Sequence, residues 1–182
     1  GLVGSEMCIR DRVSFELPPE GEGVAPQPEI PVNVVYEDAF AVVLEKPPHL
    51  AVHPTLNYPC DTLANGYAAW AAQQGISPVF RPVNRIDKDT SGLLVVAKND
   101  AAHQALSEQM SVHSIHRVYH AVVYGNLRED EGFVERWIGR DPHDRKKMAV
   151  LAENAAGARY AYTGWRVQER YGNFTYIACK LK

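Results

Sequence analysis

The stretch RPVNRIDKDTSGLLVVAK, residues 81–98, joins charged residues, a polar turn and an apolar strand pattern. It contains the charged residues Arg85 and Asp87, followed by a polar turn at residues 88–92 and an apolar run at residues 93–97 that Lys98 closes. An acidic side chain placed just before a tight turn and a buried strand lies at the rim of a core. The stretch therefore predicts that the Asp87 carboxylate is both rigidly held and accessible to a ligand.

The first half of the chain alternates short strand patterns with two helix patterns. Apolar runs at 32–35 and 41–44 predict a hairpin, and residues 83–86 and 93–97 are strand candidates on either side of the polar turn. Two helices are predicted from side chains at helical spacing. The first has Asp61 as cap, Leu63, Tyr67 and Trp70 on one face, and its end at Gly75; the second has Asn99 or Asp100 as cap and Ala102, Leu106 and Met110 on one face.

The second half is rich in strand patterns and poor in helix patterns. Strands are predicted at residues 117–124, 133–138, 147–151, 158–168 and 173–181. Because strands outnumber helices and most are joined by turns, the pattern predicts an α+β fold with a mainly antiparallel sheet and a few flanking helices.

Composition is that of an ordinary globular protein, with 46% hydrophobic and 23% charged residues. The net charge of −3 comes from residues 1–30, which hold six acidic and two basic side chains; the rest holds 17 basic and 16 acidic ones. A local basic strip can still bind RNA in such a chain. The three scattered cysteines predict neither disulfides nor a thiolate metal site, so we expect a cytoplasmic protein. No apolar run is long enough to span a membrane.

Residues 81–98 closely resemble the central motif of the RluA-type pseudouridine synthases. Four further stretches agree with that family in order and spacing: VYED at 35–38, EKPP at 45–48 with VHP at 52–54, RVYHAVVYG at 117–125, and IGRDP at 138–142 with RKKM at 145–148. Five motifs in order are a strong signal. The resemblance covers residues 31–182 and implies the pseudouridine synthase catalytic fold.

The resemblance also suggests how the chain is organised. Residues 1–12 fit nothing that follows and look like translated adapter sequence, the alternative being a frayed native N-terminus. Residues 13–31 are interpreted as a remnant strand at 13–17 followed by a proline-rich linker. Residues 32–182 are expected to form the catalytic domain without its C-terminal part, because family members continue beyond this point.

The resemblance assigns roles to three residues. Asp87 is the expected nucleophile, because a carboxylate can attack or stabilise the electron-poor ribose carbon and later leave it. Arg85 is expected to fill the gap in the RNA where the target base is flipped out. Tyr119 is expected to stack on the uracil and take part in proton transfer. The structural alternatives are that Asp87 caps its turn, Arg85 pairs with Asp87 or Asp89, and Tyr119 is an ordinary core residue.

Other polar residues near these motifs are given lesser roles. Asp89 is interpreted as a solvated turn residue, and Lys46 with its two following prolines as structural support. Asn84 stands where the family usually has histidine, which leaves any histidine-specific role unfilled. His116 and His120, about 13 Å apart on a strand, are too distant to share a metal ion. A local basic cluster is interpreted either as contacts to the RNA backbone or as a solvated loop. It consists of Arg140, Arg145, Lys146 and Lys147.

The sequence therefore predicts an enzyme that isomerises uridine to pseudouridine in structured ribosomal or transfer RNA. It is expected to act as a monomer and to need neither a cofactor nor a metal. The alternative is a catalytically inactive RNA-binding remnant, because the family's basic partner of the aspartate lies in the segment expected to be missing. A carboxylate-dependent hydrolase is a third possibility, but a second carboxylate at the required separation is lacking.

Overall fold

The computed structural model describes residues 23–56, 58–144 and 146–181. The predictions for residues 1–12, for the strand at 13–17 and for Arg145 lie outside these ranges. The chain divides into two compact units, one ending at Ser107 and one beginning at Glu108. Each unit is described by itself.

The first unit is built on a four-stranded antiparallel sheet. Its strands are β1 (Asn33–Glu37), β2 (Ala41–Lys46), β3 (Arg81–Pro82) and β4 (Gly92–Ala97), in the order β1-β2-β4-β3. The predicted hairpin is thus confirmed as β1 and β2, and the predicted strand at 93–97 as β4. Alternate side chains of the paired strands β2 and β4 are buried on one face, where they pack against helix α1 (Leu63–Gln74). The buried cluster comprises Val42, Leu44, Val52, Leu63, Tyr67, Ala71, Leu94 and Val96.

The prediction of a strand at residues 83–86 is wrong. The backbone ladder of β3 ends after Pro82, with one more bond from the Val83 N–H to the Val95 carbonyl at 2.7 Å. From there the Asn84 side chain takes over the pairing: the Val95 N–H donates to Asn84 Oδ1 at 2.9 Å, and Asn84 Nδ2 donates to the Leu93 carbonyl at 3.3 Å. Because a side chain occupies the ladder positions, the backbone leaves the sheet before it reaches Asp87.

Helix α1 begins and ends close to the predicted positions, but its cap is Thr62 instead of Asp61. Asp61 lies in the left-handed region with φ 58°, whereas Thr62 has the extended backbone that an N-cap requires. The Thr62 N–H donates to Asn65 Oδ1 at 3.1 Å. Gly75 ends the helix with φ 69°, a conformation that favours glycine.

The described part of the predicted linker is bound to helix α1. The Gln27 N–H donates to the Asn65 carbonyl at 3.0 Å, and Asn65 Nδ2 donates to the Ala25 carbonyl at 2.9 Å. Ile30 approaches Gly66 so closely that a Cβ atom there would lie 2.8 Å from Ile30 Cγ2. These contacts require glycine at position 66 and fasten residues 25–30 to the first unit.

Helix α2 (Asp100–Ser111) crosses the boundary between the two units. Asn99 caps it, since the Ala102 N–H donates to Asn99 Oδ1 at 2.8 Å. This result confirms one of the two predicted caps. Ala102 is buried and Leu106 and Met110 are half-buried, which agrees with the face predicted from their spacing.

The second unit contains a five-stranded antiparallel sheet in the order β5-β9-β8-β6-β7. Its strands confirm the predicted ones within a few residues: β5 (Val118–Tyr124), β6 (Glu131–Arg140), β7 (Met148–Val150), β8 (Arg159–Tyr171) and β9 (Phe174–Leu181). With two helices and two antiparallel sheets among the described residues, the predicted α+β class is confirmed.

Candidate active site

A cleft of about 420 Å³ lies in the first unit beside the polar turn. Two parts of the chain form it: residues 51–55 with Tyr58, which follow the end of β2, and residues 85–88, which follow Asn84. Its lining residues are Ala51, Val52, His53, Thr55, Tyr58, Arg85, Ile86, Asp87 and Lys88. The structure thus brings Arg85 and Asp87, two of the predicted site residues, into one cleft.

The Asp87 carboxylate is exposed in this cleft and has no hydrogen-bond or ion-pair partner among the described residues. The Thr90 N–H donates to the Asp87 backbone carbonyl at 3.2 Å, so the main chain closes the turn. Within the described ranges no hydrogen bond or ion pair reaches the Asp87 side chain. The interpretation of this carboxylate as a turn cap is therefore wrong, and its oxygens are available to a ligand.

The Lys46 side chain holds the backbone of the turn that carries Asp87. Its position on β2 follows Val42 and Leu44 on the buried face, and its side chain is fully buried. The ammonium donates to the carbonyls of Pro47 at 2.9 Å, Leu50 at 2.8 Å and Lys88 at 2.9 Å. Burial lowers the pKa of Lys46, while the negative charges of Asp89 and Asp87 oppose that shift. All three of its donors are used, which holds the residue after Asp87 against the turn at 47–50.

A second, exposed contact joins the same two turns. His49 Nδ1 lies 2.9 Å from Asp89 Oδ1, with both side chains about three-quarters or more exposed. Asp89 is thus a solvated turn residue, as predicted, with one histidine partner. Such an exposed pair contributes little to stability.

Arg85 and His53 both line the cleft and influence each other electrostatically. Arg85 is exposed and, in the part of the chain that the structure describes, forms no ion pair; the predicted alternative of a pair with Asp87 or Asp89 is therefore wrong. The His53 ring packs edge-on against Phe80 at a centroid distance of 5.2 Å. Burial lowers the pKa of His53, and the positive charge of Arg85 lowers it further. Both effects favour the neutral imidazole in the same cleft as the guanidinium.

Two lining residues were not identified from the sequence. Lys88 Nζ donates to the Tyr58 hydroxyl at 2.9 Å and lies 4.3 Å from the centroid of the Tyr58 ring. No spacing rule links positions 58 and 88, because the contact joins residues that lie 30 positions apart in the sequence. The nearest signal was the short distance in sequence between Lys88 and Asp87.

Tyr119 lies in the second unit, on β5. It pairs with Cys179 of β9, which in turn pairs with Trp165 of β8, so the three side chains share one sheet face. Buried Thr175 and Ile177 lie on that same face of β9. Tyr119 itself is half-buried. Asp87 belongs to the first unit.

The described part of the predicted basic cluster lies on one hairpin of the second unit. Arg140 ends β6 and pairs with Met148, the first residue of β7, while Lys146 and Lys147 lie in the connection between these strands. All three bases are exposed. Lys147 Nζ is 3.4 Å from Asp144 Oδ2, so the positive charge of Lys147 is partly paired with Asp144.

Neither a metal cluster nor a membrane helix is found among residues 23–56, 58–144 and 146–181. No group of three or more histidine, cysteine, aspartate or glutamate side chains there could hold a metal ion. No helix there is long and apolar enough to cross a membrane.

Comparison with known proteins agrees with the fold and the motifs. The sequence pattern of the family described as RNA pseudouridylate synthase matches residues 41–182. The chain belongs to this family, which confirms the resemblance inferred from its motifs. It is 40% identical over 176 residues to the uncharacterized RNA pseudouridine synthase YlyB of Bacillus subtilis, covering 94% of this chain and 56% of that protein.

A second relative carries a more specific name. The ribosomal large subunit pseudouridine synthase D of Neisseria meningitidis serogroup B is 39% identical over 182 residues, covering all of this chain and 46% of that protein. The chain spans about half the length of the curated relatives it matches. The solved human RNA pseudouridylate synthase domain containing 1 shares the fold with a TM-score of 0.65 at 20% identity, covering 86% of this chain and 61% of the solved one.

Proposed function

We propose that this protein isomerises uridine to pseudouridine in structured RNA, with Asp87 as the nucleophile. The observation that carries the proposal is the free Asp87 carboxylate, exposed in a cleft of about 420 Å³ on a turn held by Lys46. Family membership supports the reaction class. The name of the Neisseria relative favours ribosomal RNA over transfer RNA as the substrate.

The reaction begins at the ribose carbon that carries the base. An Asp87 oxygen attacks this carbon, and the electron pair of the breaking bond goes to uracil N1. The detached base rotates and its C5 atom forms the new bond to the same carbon, displacing the carboxylate. The proton on C5 is then lost and N1 gains one, so substrate and product are isomers and no cofactor is consumed.

Arg85 and Tyr119 assist in the proposed reaction. The exposed Arg85 guanidinium, with no internal ion pair among the described residues, can fill the gap left by the flipped nucleotide and bind phosphate. Tyr119 stacks on the uracil and takes part in the proton transfer from C5. The protein works in the cytoplasm as a monomer. Phosphate contacts come from Arg140, Arg145, Lys146 and Lys147.

Product analysis tests the proposal directly. The protein at its natural full length is incubated with ribosomal RNA fragments, and the digested nucleosides are separated by mass-resolved chromatography. Pseudouridine without mass change in the RNA supports the proposal. Released uracil would indicate a hydrolase, and unchanged RNA despite binding would indicate a non-catalytic RNA-binding protein; either result contradicts it.

A further inference from the structure

We propose that Tyr58 and Lys88 form a nucleotide clamp, which holds the nucleotide next to the target uridine at the rim of the cleft. This inference rests on the proposed function and adds a substrate-binding site to it. The two side chains touch each other through a hydrogen bond of 2.9 Å and a cation–π contact of 4.3 Å. Both line the cleft that contains Asp87.

The backbones that carry the two side chains are fixed. Tyr58 and Thr55 exchange backbone hydrogen bonds of 2.7 and 3.0 Å. The Lys88 carbonyl accepts a hydrogen bond from the buried Lys46 ammonium. The clamp is therefore built from two side chains whose own backbone positions are held by hydrogen bonds.

The chemistry of the clamp fits a nucleotide. Tyr58 is 43% exposed, so part of its ring is available for stacking, and a base stacked on an aromatic side chain gains about 1–3 kcal/mol. The Lys88 ammonium has three donors and gives one to Tyr58, which leaves two for phosphate oxygens. The hydrogen bond to the Tyr58 hydroxyl raises the pKa of Lys88, so the side chain stays cationic.

The position of the clamp points to the neighbouring nucleotide. Lys88 directly follows Asp87, whereas Arg85 precedes Asp87 by two residues, so the two cations flank the carboxylate along the chain. With the target ribose at Asp87, we place one neighbouring phosphate at Arg85 and the other at Lys88, because both cations line the same cleft. A base attached beside the second phosphate then meets the Tyr58 ring.

RNA binding is measured in the Asp87→Asn background, where no turnover disturbs the equilibrium. Tyr58→Ala should weaken the affinity about 5- to 150-fold, the equivalent of about 1–3 kcal/mol of lost stacking. Tyr58→Phe keeps the ring and should stay within about twofold of the parent. Lys88→Gln should reduce the slope of log affinity against log salt by about one. Tyr124→Ala and Lys180→Gln, exposed residues of the second unit, serve as controls.

Abasic substrates distinguish stacking from a structural tether. RNAs lacking the base on the 5′ or the 3′ side of the target uridine are bound both to the parent protein and to the Tyr58→Ala variant. The proposal predicts that the Tyr58→Ala penalty disappears with one of these RNAs. An unchanged penalty with both, or a Tyr58→Phe loss as large as that of Tyr58→Ala, overturns it. Binding is measured without catalysis. Absence of isomerisation by the wild-type protein would therefore overturn the proposed function, whereas the binding data alone decide whether the clamp exists.

Discussion

The sheet of the second unit and the turn at residues 84–90 of the first unit, called the cleft turn, are held by different kinds of hydrogen bond. In the second unit, long antiparallel ladders pair β5 with β9, β9 with β8 and β8 with β6, so backbone bonds determine where each side chain lies. In the cleft turn the ladder stops at Val83, and side chains of Asn84 and Lys46 hold the chain. The Asp87 carboxylate, which has no hydrogen-bond or ion-pair partner among the described residues, thus lies on a turn that its neighbours hold.

The largest effect on stability should come from Lys46→Met. The variant leaves three partly buried backbone carbonyls without their donor, and a polar group left unsatisfied on burial costs about 1–3 kcal/mol. We expect a loss of about 3 kcal/mol or more in the free energy of unfolding, measured by urea denaturation. Lys180→Met makes the same chemical change at an exposed position and should cost less than about 0.5 kcal/mol. Equal losses in the two variants would show that the buried ammonium does not hold the turn.

Asn84→Ala should have the next largest effect. It removes the acceptor of the Val95 N–H and the donor to the Leu93 carbonyl, at the point where the ladder ends. We expect destabilisation by about 1–2 kcal/mol, with a larger proportional loss of isomerisation because the Asp87 turn shifts. Asn126→Ala, at an exposed position, is the matched control. A variant with unchanged stability and rate would mean that the side-chain pairing at Asn84 is dispensable.

The cleft turn also shows what the sequence could and could not predict. Period-two alternation predicted the strands of the second unit within a few residues, because regular ladders expose one face and bury the other. The same rule wrongly extended a strand through 83–86, since it cannot see that the Asn84 side chain replaces the backbone. Asp87 and Arg85 were found through the family motif, whereas Tyr58 was missed because its contact with Lys88 joins positions 30 residues apart.

The exposed bases of the second unit should affect RNA binding without affecting stability. Lys146→Gln should reduce the slope of log affinity against log salt by about one, and adding Lys147→Gln should reduce it by up to about one more. The partial pairing of Lys147 with Asp144 makes the second effect the smaller of the two. Fluorescence anisotropy across a salt series measures both. An unchanged slope would assign these lysines to a solvated loop.

The smallest effect should be a pH dependence from His53. Burial and Arg85 lower the pKa of His53 in the folded protein, so near pH 6.5 the unfolded chain binds more protons than the folded one. Stability should therefore fall as pH drops through this range, and His53→Gln should remove that part of the fall. Urea midpoints between about pH 7.5 and pH 5.5 test it. Parallel curves for the two proteins would show that His53 titrates alike in both states.

In the proposed function, Asp87 acts in chemistry while its neighbours hold the turn. The most direct test of this role compares Asp87→Asn with the matched variant Asp89→Asn, two residues away on the same turn. Both should unfold within about 0.5 kcal/mol of the parent. Only Asp87→Asn should lower the rate of pseudouridine formation by at least about a thousandfold. An Asp87→Asn protein that retains activity within about tenfold of the parent, about 1.4 kcal/mol of activation free energy, would contradict the role of Asp87 as nucleophile.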